Sequence, residues 1–262
     1  ARAAAERLAL ALDPAVRLAL MDALSQAAAE ITAGRASRAL VIVMDELTPL
    51  LHAILDRFHG LAVAGEDGEE AARPFDRRRS GGIAAEGASA WLLETETAAR
   101  ERGARILARL HSGTSAFDPR SPRSGWSRDP GILVEACARY LGETGWAPED
   151  FDAVVSGTAG TVGGDALEAR VLRAVWGERP LPPVLVPKAV LGEHGGALLT
   201  GALLAIEGHP FGPTPGFGEA DPELGVVPHD GRPLAAPERI LVTGLAAGGT
   251  AAWLVLERGD GP

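Results

Sequence analysis

The sequence has a single cysteine among 262 residues, which excludes a disulfide framework and points to a reducing compartment, here expected to be the cytoplasm. It has no excess of positive charge: 25 Lys and Arg stand against 35 Asp and Glu, a net charge of −10. That balance argues against nucleic acid as the main partner. Long hydrophobic runs are missing too, the longest being broken by charge or glycine well short of a membrane span. The first residues, ARAAAERLALAL, are amphipathic but lack the cationic start, long apolar centre and cleavage pattern of a signal peptide. Neither glycine-rich stretch, GTAGTVGG or GLAAGG, has the GxxxxGK(S/T) spacing that cradles phosphate. His52 and His59 lie seven apart with no third ligand evident, so neither a metal nor a cofactor is expected.

What remains is the composition of a soluble globular chain: 46% hydrophobic and 23% charged residues, with 33 Gly and 19 Pro to supply turns. Its length suits one large α/β domain or two smaller ones. Strands and helices alternate. Ala3–Leu12 reads as helix, Ala15–Leu20 as a short strand, Asp22–Thr32 as an amphipathic helix with Gly34 as its C-cap, and Leu40–Met44 as a buried strand. Leu50–Phe58 reads as a short helix, Glu66–Ser80 as a polar connection, and Ala88–Glu96 as a strand entering helix Thr97–Arg102. Ala104–Leu110 begins another strand, and Ile132–Leu141 is a helix. Strand Val184–Val186, helix Gly195–Glu207 and strands Ile240–Thr243 and Ala251–Glu257 complete the alternation.

The stretch Val155–Leu172, VSGTAGTVGGDALEARVL, reads as a strand end, a tight turn and a helix. Gly157, Gly160, Gly163 and Gly164 are expected to let the turn adopt positive φ. Asp165 and Glu168 have capping-box spacing and are expected to open the helix. Such a turn brings side chains to a pocket, yet no strong nucleophile, base or metal ligand stands in it. Cys137 has no neighbouring base in sequence and reads as a buried thiol. Glu193 and His194 form a candidate acid/base pair at a helix start, set against a structural role for Glu193 at the helix dipole. Lys188 is expected to tie loops together by pairing with Asp165 or Glu168.

Five stretches in order resemble the β-ketoacyl synthases of the thiolase-like superfamily. PFDRRRSGGIAAEGA at Pro74–Ala88 resembles PFDxxRxGxxxGEGA, with Phe75, Asp76, Arg77, Arg79, Gly81, Glu86, Gly87 and Ala88 matching. AWLLETETAARERGARILARL resembles the strand, helix and RGA-containing strand that follow. GTAGTVGGDALEARVLRAVWG resembles HGTST…GD…EA…FG, VPKAVLGEHGGALLTG resembles KSxxGHxxGAAG, and GLAAGGTAAWLVLE resembles the terminal FGFGGTNxxLVL. The resemblance runs from about Ala15 to the C-terminus. It implies a layered αβαβα fold of mixed sheets, with residues 1–100 as the remainder of the N-terminal half and 101–262 as the C-terminal half. A chain that starts without Met, directly in a helical pattern, is expected to have residues missing upstream. Its first half, with unpaired strand edges, is expected to be unstable alone.

The departures from the family lie in the chemistry. A condensing synthase carries its acyl chain on a cysteine and uses two histidines. The cysteine position falls near Arg17, the first histidine position on Gly157 and the second on Glu193, with His194 one residue off; Lys188 keeps the motif lysine. No catalytic residue is therefore expected. The pattern resembles a chain-length factor, the non-catalytic partner of an active ketosynthase in polyketide or polyene assembly. The resemblance implies a heterodimer with a ketosynthase, transient contact with an acyl carrier protein, pairing of the strand near Ala15–Leu20 across the two-fold, and an acyl tunnel shaped by Gly157, Ala159, Leu245 and Ala246. Shortened side chains at Gly157, Ala159, Ala246 and Ala247 imply a cavity or a collapsed core. Two alternatives stand beside it: an acyl-transfer enzyme of altered chemistry using Glu193, His194 and Lys188, and a purely architectural synthase component.

Overall fold

The computed structural model describes residues 18–66, 68–111 and 113–259. Its centre is a mixed sheet in the order β3-β8-β7-β5-β6: Ala108–Leu110 (β3), Thr250–Arg258 (β8), Arg239–Ala246 (β7), Ala153–Ser156 (β5) and Val184–Leu185 (β6). Thr114–Phe117 (β4) continues the β3 edge along the other half of β8. β7 and β8 form a hairpin in register from Arg239↔Glu257 to Ala246↔Thr250, turned by Gly248 and Gly249, both at φ 100°. β5 runs parallel to β7 and β6, and every residue of AVVS is buried, as a strand covered on both faces must be.

Among the described residues, two helices cover each face of the sheet. Gly131–Thr144 (α4) and Val162–Trp176 (α5) cover one face through Leu133, Cys137, Leu167, Leu172 and Trp176, packed on Val154, Leu241 and Trp253. Ala19–Thr32 (α1) and Ala197–Ile206 (α7) cover the other through Leu18, Met21, Leu24, Leu198, Leu199, Ala202 and Ile206, packed on Val155, Val242 and Leu254. The α7 sequence ALLTGALLAI is apolar nearly all round, which suits a helix enclosed between layers. Beyond α1 lies a two-stranded antiparallel sheet of Arg38–Asp45 (β1) and Gly87–Glu94 (β2). Val41, Val43, Trp91 and Leu93 face inward, while Leu40, Ile42 and Met44 are 63%, 64% and 76% exposed. The layers thus run helix, sheet, helix, sheet, in the order that the resemblance implies.

Three segments differ from the sequence expectation. Ala15–Leu20 is not a strand where it is described: Leu18 is a single 3₁₀ position and α1 starts at Ala19, because Leu20 and Leu24 share one helical face. Arg17 and the expected helix Ala3–Leu12 lie outside the described residues. Leu40–Met44 is a strand half-buried on one face and exposed on the other. The strand expected over Ala104–Leu110 is confined to β3, since only its last residues reach β8. The remaining helices are Pro49–Arg57 (α2), capped by Thr48 Oγ1 accepting from Leu51 N–H, Glu96–Glu101 (α3), capped in the same way by Thr95, and the single turn Lys188–Leu191 (α6).

The PFDRRR segment is held by charge at long range. Asp76, fully buried, accepts the N–H groups of Gly218 and Glu219, each at 2.7 Å, and that of Arg78 at 2.7 Å. Arg79 pairs with Asp221 at 2.6 Å and Arg77 with Glu219 at 2.9 Å. Burial alone would raise the Asp76 carboxyl. Its hydrogen bonds from Arg78 and from backbone N–H groups outweigh that and hold it down to about 2. Its stabilising effect is therefore complete above the ordinary aspartate range and is lost as pH falls toward 2. Asp76→Ala is expected to cost about 3 kcal/mol at pH 7 in urea melts, by stranding three N–H groups, and the difference from the unchanged chain is expected to shrink between pH 4 and pH 2.

Candidate functional site

The segment after β5 is set by contacts rather than by a loose glycine turn. Of its four glycines only Gly160 has positive φ, at 92°, and a Cβ there would lie 2.7 Å from the Gly81 carbonyl oxygen. Gly163 and Gly164 lie inside α5, where a Cβ on either would meet the Trp126 ring at 2.7 Å. Gly157 donates to the Thr243 carbonyl at 2.8 Å, and a Cβ on it would sit 2.9 Å from that oxygen and 3.1 Å from Gly244 Cα. Here glycine permits close approach of backbones.

Asp165 and Glu168 do not cap α5. Thr161 is the N-cap residue, which moves both acids into the first turns of the helix, where they face the interior. Asp165 accepts the Phe75 N–H at 2.7 Å and the Gly160 N–H at 3.2 Å, joining segments 90 residues apart. Phe75 takes φ 61° to make that bond, a rare conformation for a bulky side chain. Glu168 lies by Ser156, whose Oγ is 2.8 Å from Thr158 Oγ1 and which pairs with Thr243 of the neighbouring strand. Glu168 Oε1 and Thr243 Oγ1 are buried without a hydrogen-bond partner. Burial pushes Asp165 up to about 7 against its backbone hydrogen bonds and the Arg79 charge. Burial likewise pushes Glu168 up to about 8, opposed by the Ser156 hydroxyl and reinforced by Asp165.

Lys188 makes its ion pair with Glu193, Nζ to Oε1 at 3.3 Å; of the two acids expected as its partner, Glu168 feels its charge without direct contact. The α6 turn folds the lysine back onto the residue five positions on, and Glu193 is anchored there by donating its N–H to the Ile83 carbonyl at 2.7 Å. Glu193, Gly82 and Ala159 meet: a Cβ on Gly82 would lie 3.1 Å from Glu193 Oε2 and 3.2 Å from Ala159 Cβ. His194 turns elsewhere. Its Nδ1 accepts the Gly196 N–H at 3.2 Å and its ring lies against Gly87, at the start of β2. Leu245 and Ala246 are both buried and separate, one in the core under α4 and α5, the other in the core under α1 and α7. Cys137 is buried in α4, where burial pushes its thiol up to about 12, far from the thiolate that a nucleophile needs.

The site is therefore a buried acidic pair beside a half-buried ion pair, with the histidine facing away. Two contributors escaped sequence reasoning: Asp45, whose carboxylate takes the Gly195 N–H and hooks β1 to the start of α7, and Leu198, which packs beside Gly157. Among the described residues no group of three or more His, Cys, Asp or Glu is placed to hold a metal ion, and no helix is long and apolar enough to cross a membrane. Raised carboxyl values mean that the folded state keeps Glu168 protonated near neutrality, at a cost that grows as pH rises from about 4.5 to about 8. Glu168→Gln is expected to raise the melting temperature at pH 8, and the gain to vanish near pH 4.

No protein-family model matches the sequence. Individual relatives do. The chain is 35% identical over 190 residues to 3-oxoacyl-(acyl-carrier-protein) synthase 2 of Mycobacterium bovis, covering 66% of this chain and 42% of that protein. It is 34% identical over 206 residues to the tetracenomycin polyketide synthase ketoacyl synthase beta subunit of Streptomyces glaucescens, covering 76% and 49%. Among solved structures, the ishigamide ketosynthase/chain length factor superposes with a TM-score of 0.79 at 25% identity, covering 90% of this chain and 57% of that one. The chain thus spans about half the length of the relatives it matches. Motifs, layers and relatives agree: the chain belongs to the β-ketoacyl synthase family, with the thiolase-like fold.

Proposed function

We propose that this chain is a ketosynthase-like subunit of chain-length-factor type, which does not condense acyl groups itself. It pairs with an active ketosynthase, meets an acyl carrier protein transiently, and helps to shape the space that receives the growing chain. One observation carries the reading: the positions that match the family's two histidines hold Gly157, pressed against the β7 backbone, and Glu193, ion-paired to Lys188. Neither can stabilise an oxyanion as an imidazole does, since one has no side chain and the other is negatively charged. The similarity to a ketoacyl synthase beta subunit and to a ketosynthase/chain length factor structure supports the same reading.

The altered-chemistry alternative needs Glu193, His194 and Lys188 to act on one substrate. Against it, His194 lies against Gly87 while Glu193 engages Lys188. Co-expression with a ketosynthase that carries the cysteine and both histidines tests the proposal. The expected result is a 1:1 complex on size exclusion with light scattering; a chain that elutes apart from such ketosynthases contradicts it. Within that complex, Glu193→Gln with His194→Ala is expected to leave turnover within about twofold. Loss of about a hundredfold or more, the scale of a missing general acid or base, would favour the altered-chemistry reading.

A further inference from the structure

The carboxyl ends of parallel strands are where open α/β sheets bind their ligands. In this chain the parallel pairing of β5 with β7 ends at Ser156↔Thr243, and Gly157 and Gly244 are the residues that follow it. Three apolar side chains converge there. Leu198 Cδ2, from α7, lies 3.5 Å from where a Cβ would start at Gly157 and also 3.5 Å from where one would start at Gly244. Leu18 Cδ2 and Met21 Sδ, at the start of α1, lie 2.8 and 3.1 Å from the Gly244 position. Leu198 and Leu18 are 6% exposed and Met21 3%. The Thr243 carbonyl oxygen, 2.9 Å from where a Cβ would start at Gly157, already accepts the Gly157 N–H.

We propose that Leu198 is a plug. Its side chain fills the space in front of Gly157 and Gly244, and so shuts a dry apolar slot that would otherwise take the end of a saturated acyl chain. The backbone outlines the slot with two glycines. The walls come from Leu18 and Met21. A space lined in this way stays free of water when opened and accepts apolar matter. The growing chain is thereby confined to the partner's side of a shared space. The choice of an acyl chain as occupant rests on the function proposed above; the plug itself rests on packing alone.

The test uses the whole chain without a ketosynthase, so that it fails separately from the pairing proposal. Binding of octanoyl-pantetheine is measured by calorimetry for the unchanged chain, for Leu198→Ala and for Leu172→Ala. Leu172 is also buried but lies on the opposite face of the sheet. Leu198→Ala is expected to bind at least about tenfold tighter than the other two, and to gain thermal stability on addition of the probe. Equal binding by the unchanged chain, an equal gain in Leu172→Ala, or a folded Leu198→Ala with no gain would each overturn the proposal. If Leu198→Ala does not fold, Leu198→Val and Met21→Ala carry the same comparison.

Discussion

The close approach of β5 and β7 at Gly157 constrains everything around it. Its N–H donates to Thr243 at 2.8 Å, and a Cβ on it would lie 2.9 Å from that carbonyl oxygen and 3.1 Å from Gly244 Cα, too close for a side chain unless the backbone shifts. An imidazole cannot stand there without moving a strand or a helix. Leu198, Leu18 and Met21 then close the adjoining volume from the helices above. Protein interiors resist voids, because atoms lining a gap lose their dispersion contacts. The close packing of Leu198, Leu18 and Met21 around Gly157 and Gly244 follows from that. Other parts of the site persist. The buried acids, the lysine and the PFDRRR anchor keep their connections, because they hold segments of the fold to one another.

The alternation of strands and helices was legible because β-branched runs and 3.6-residue periodicities are local properties. FDAVVS, RILVTGLA and ILVEACARYL announce their states from within. The stretch from Ala15 to Leu20 misled because AVRLAL alternates over too few residues to separate two periods. Its last residue, Leu20, belongs to the helix that continues through Met21 and Leu24. Asp165 and Glu168 misled for a different reason. Their spacing imitates a capping box, while their partners, Phe75, Gly160 and Ser156, come from other segments or the preceding strand, and only the tertiary fold unites them. Lys188 meets a nearer acid than the two expected, because a single turn of helix, invisible to periodicity, folds it back onto Glu193.

The glycines carry a similar lesson. Sequence reading assigns them to turns, where positive φ is needed, but only Gly160 in this stretch uses that freedom. Gly157 serves a strand contact and Gly163 and Gly164 serve Trp126. Missing side-chain volume is thus as much a structural instruction as conformational freedom, and the difference lies in what packs opposite. Leu198 is the counterpart: an ordinary leucine on an apolar helix, whose importance comes from facing two glycines.

The central proposal is that the β-ketoacyl synthase fold here surrounds a centre that performs no covalent chemistry. Intact-protein mass spectrometry of the chain mixed with an active ketosynthase and an acyl-loaded carrier protein tests it most directly. The account predicts an acyl adduct on the ketosynthase and an unchanged mass for this chain; an acyl adduct on this chain would contradict it.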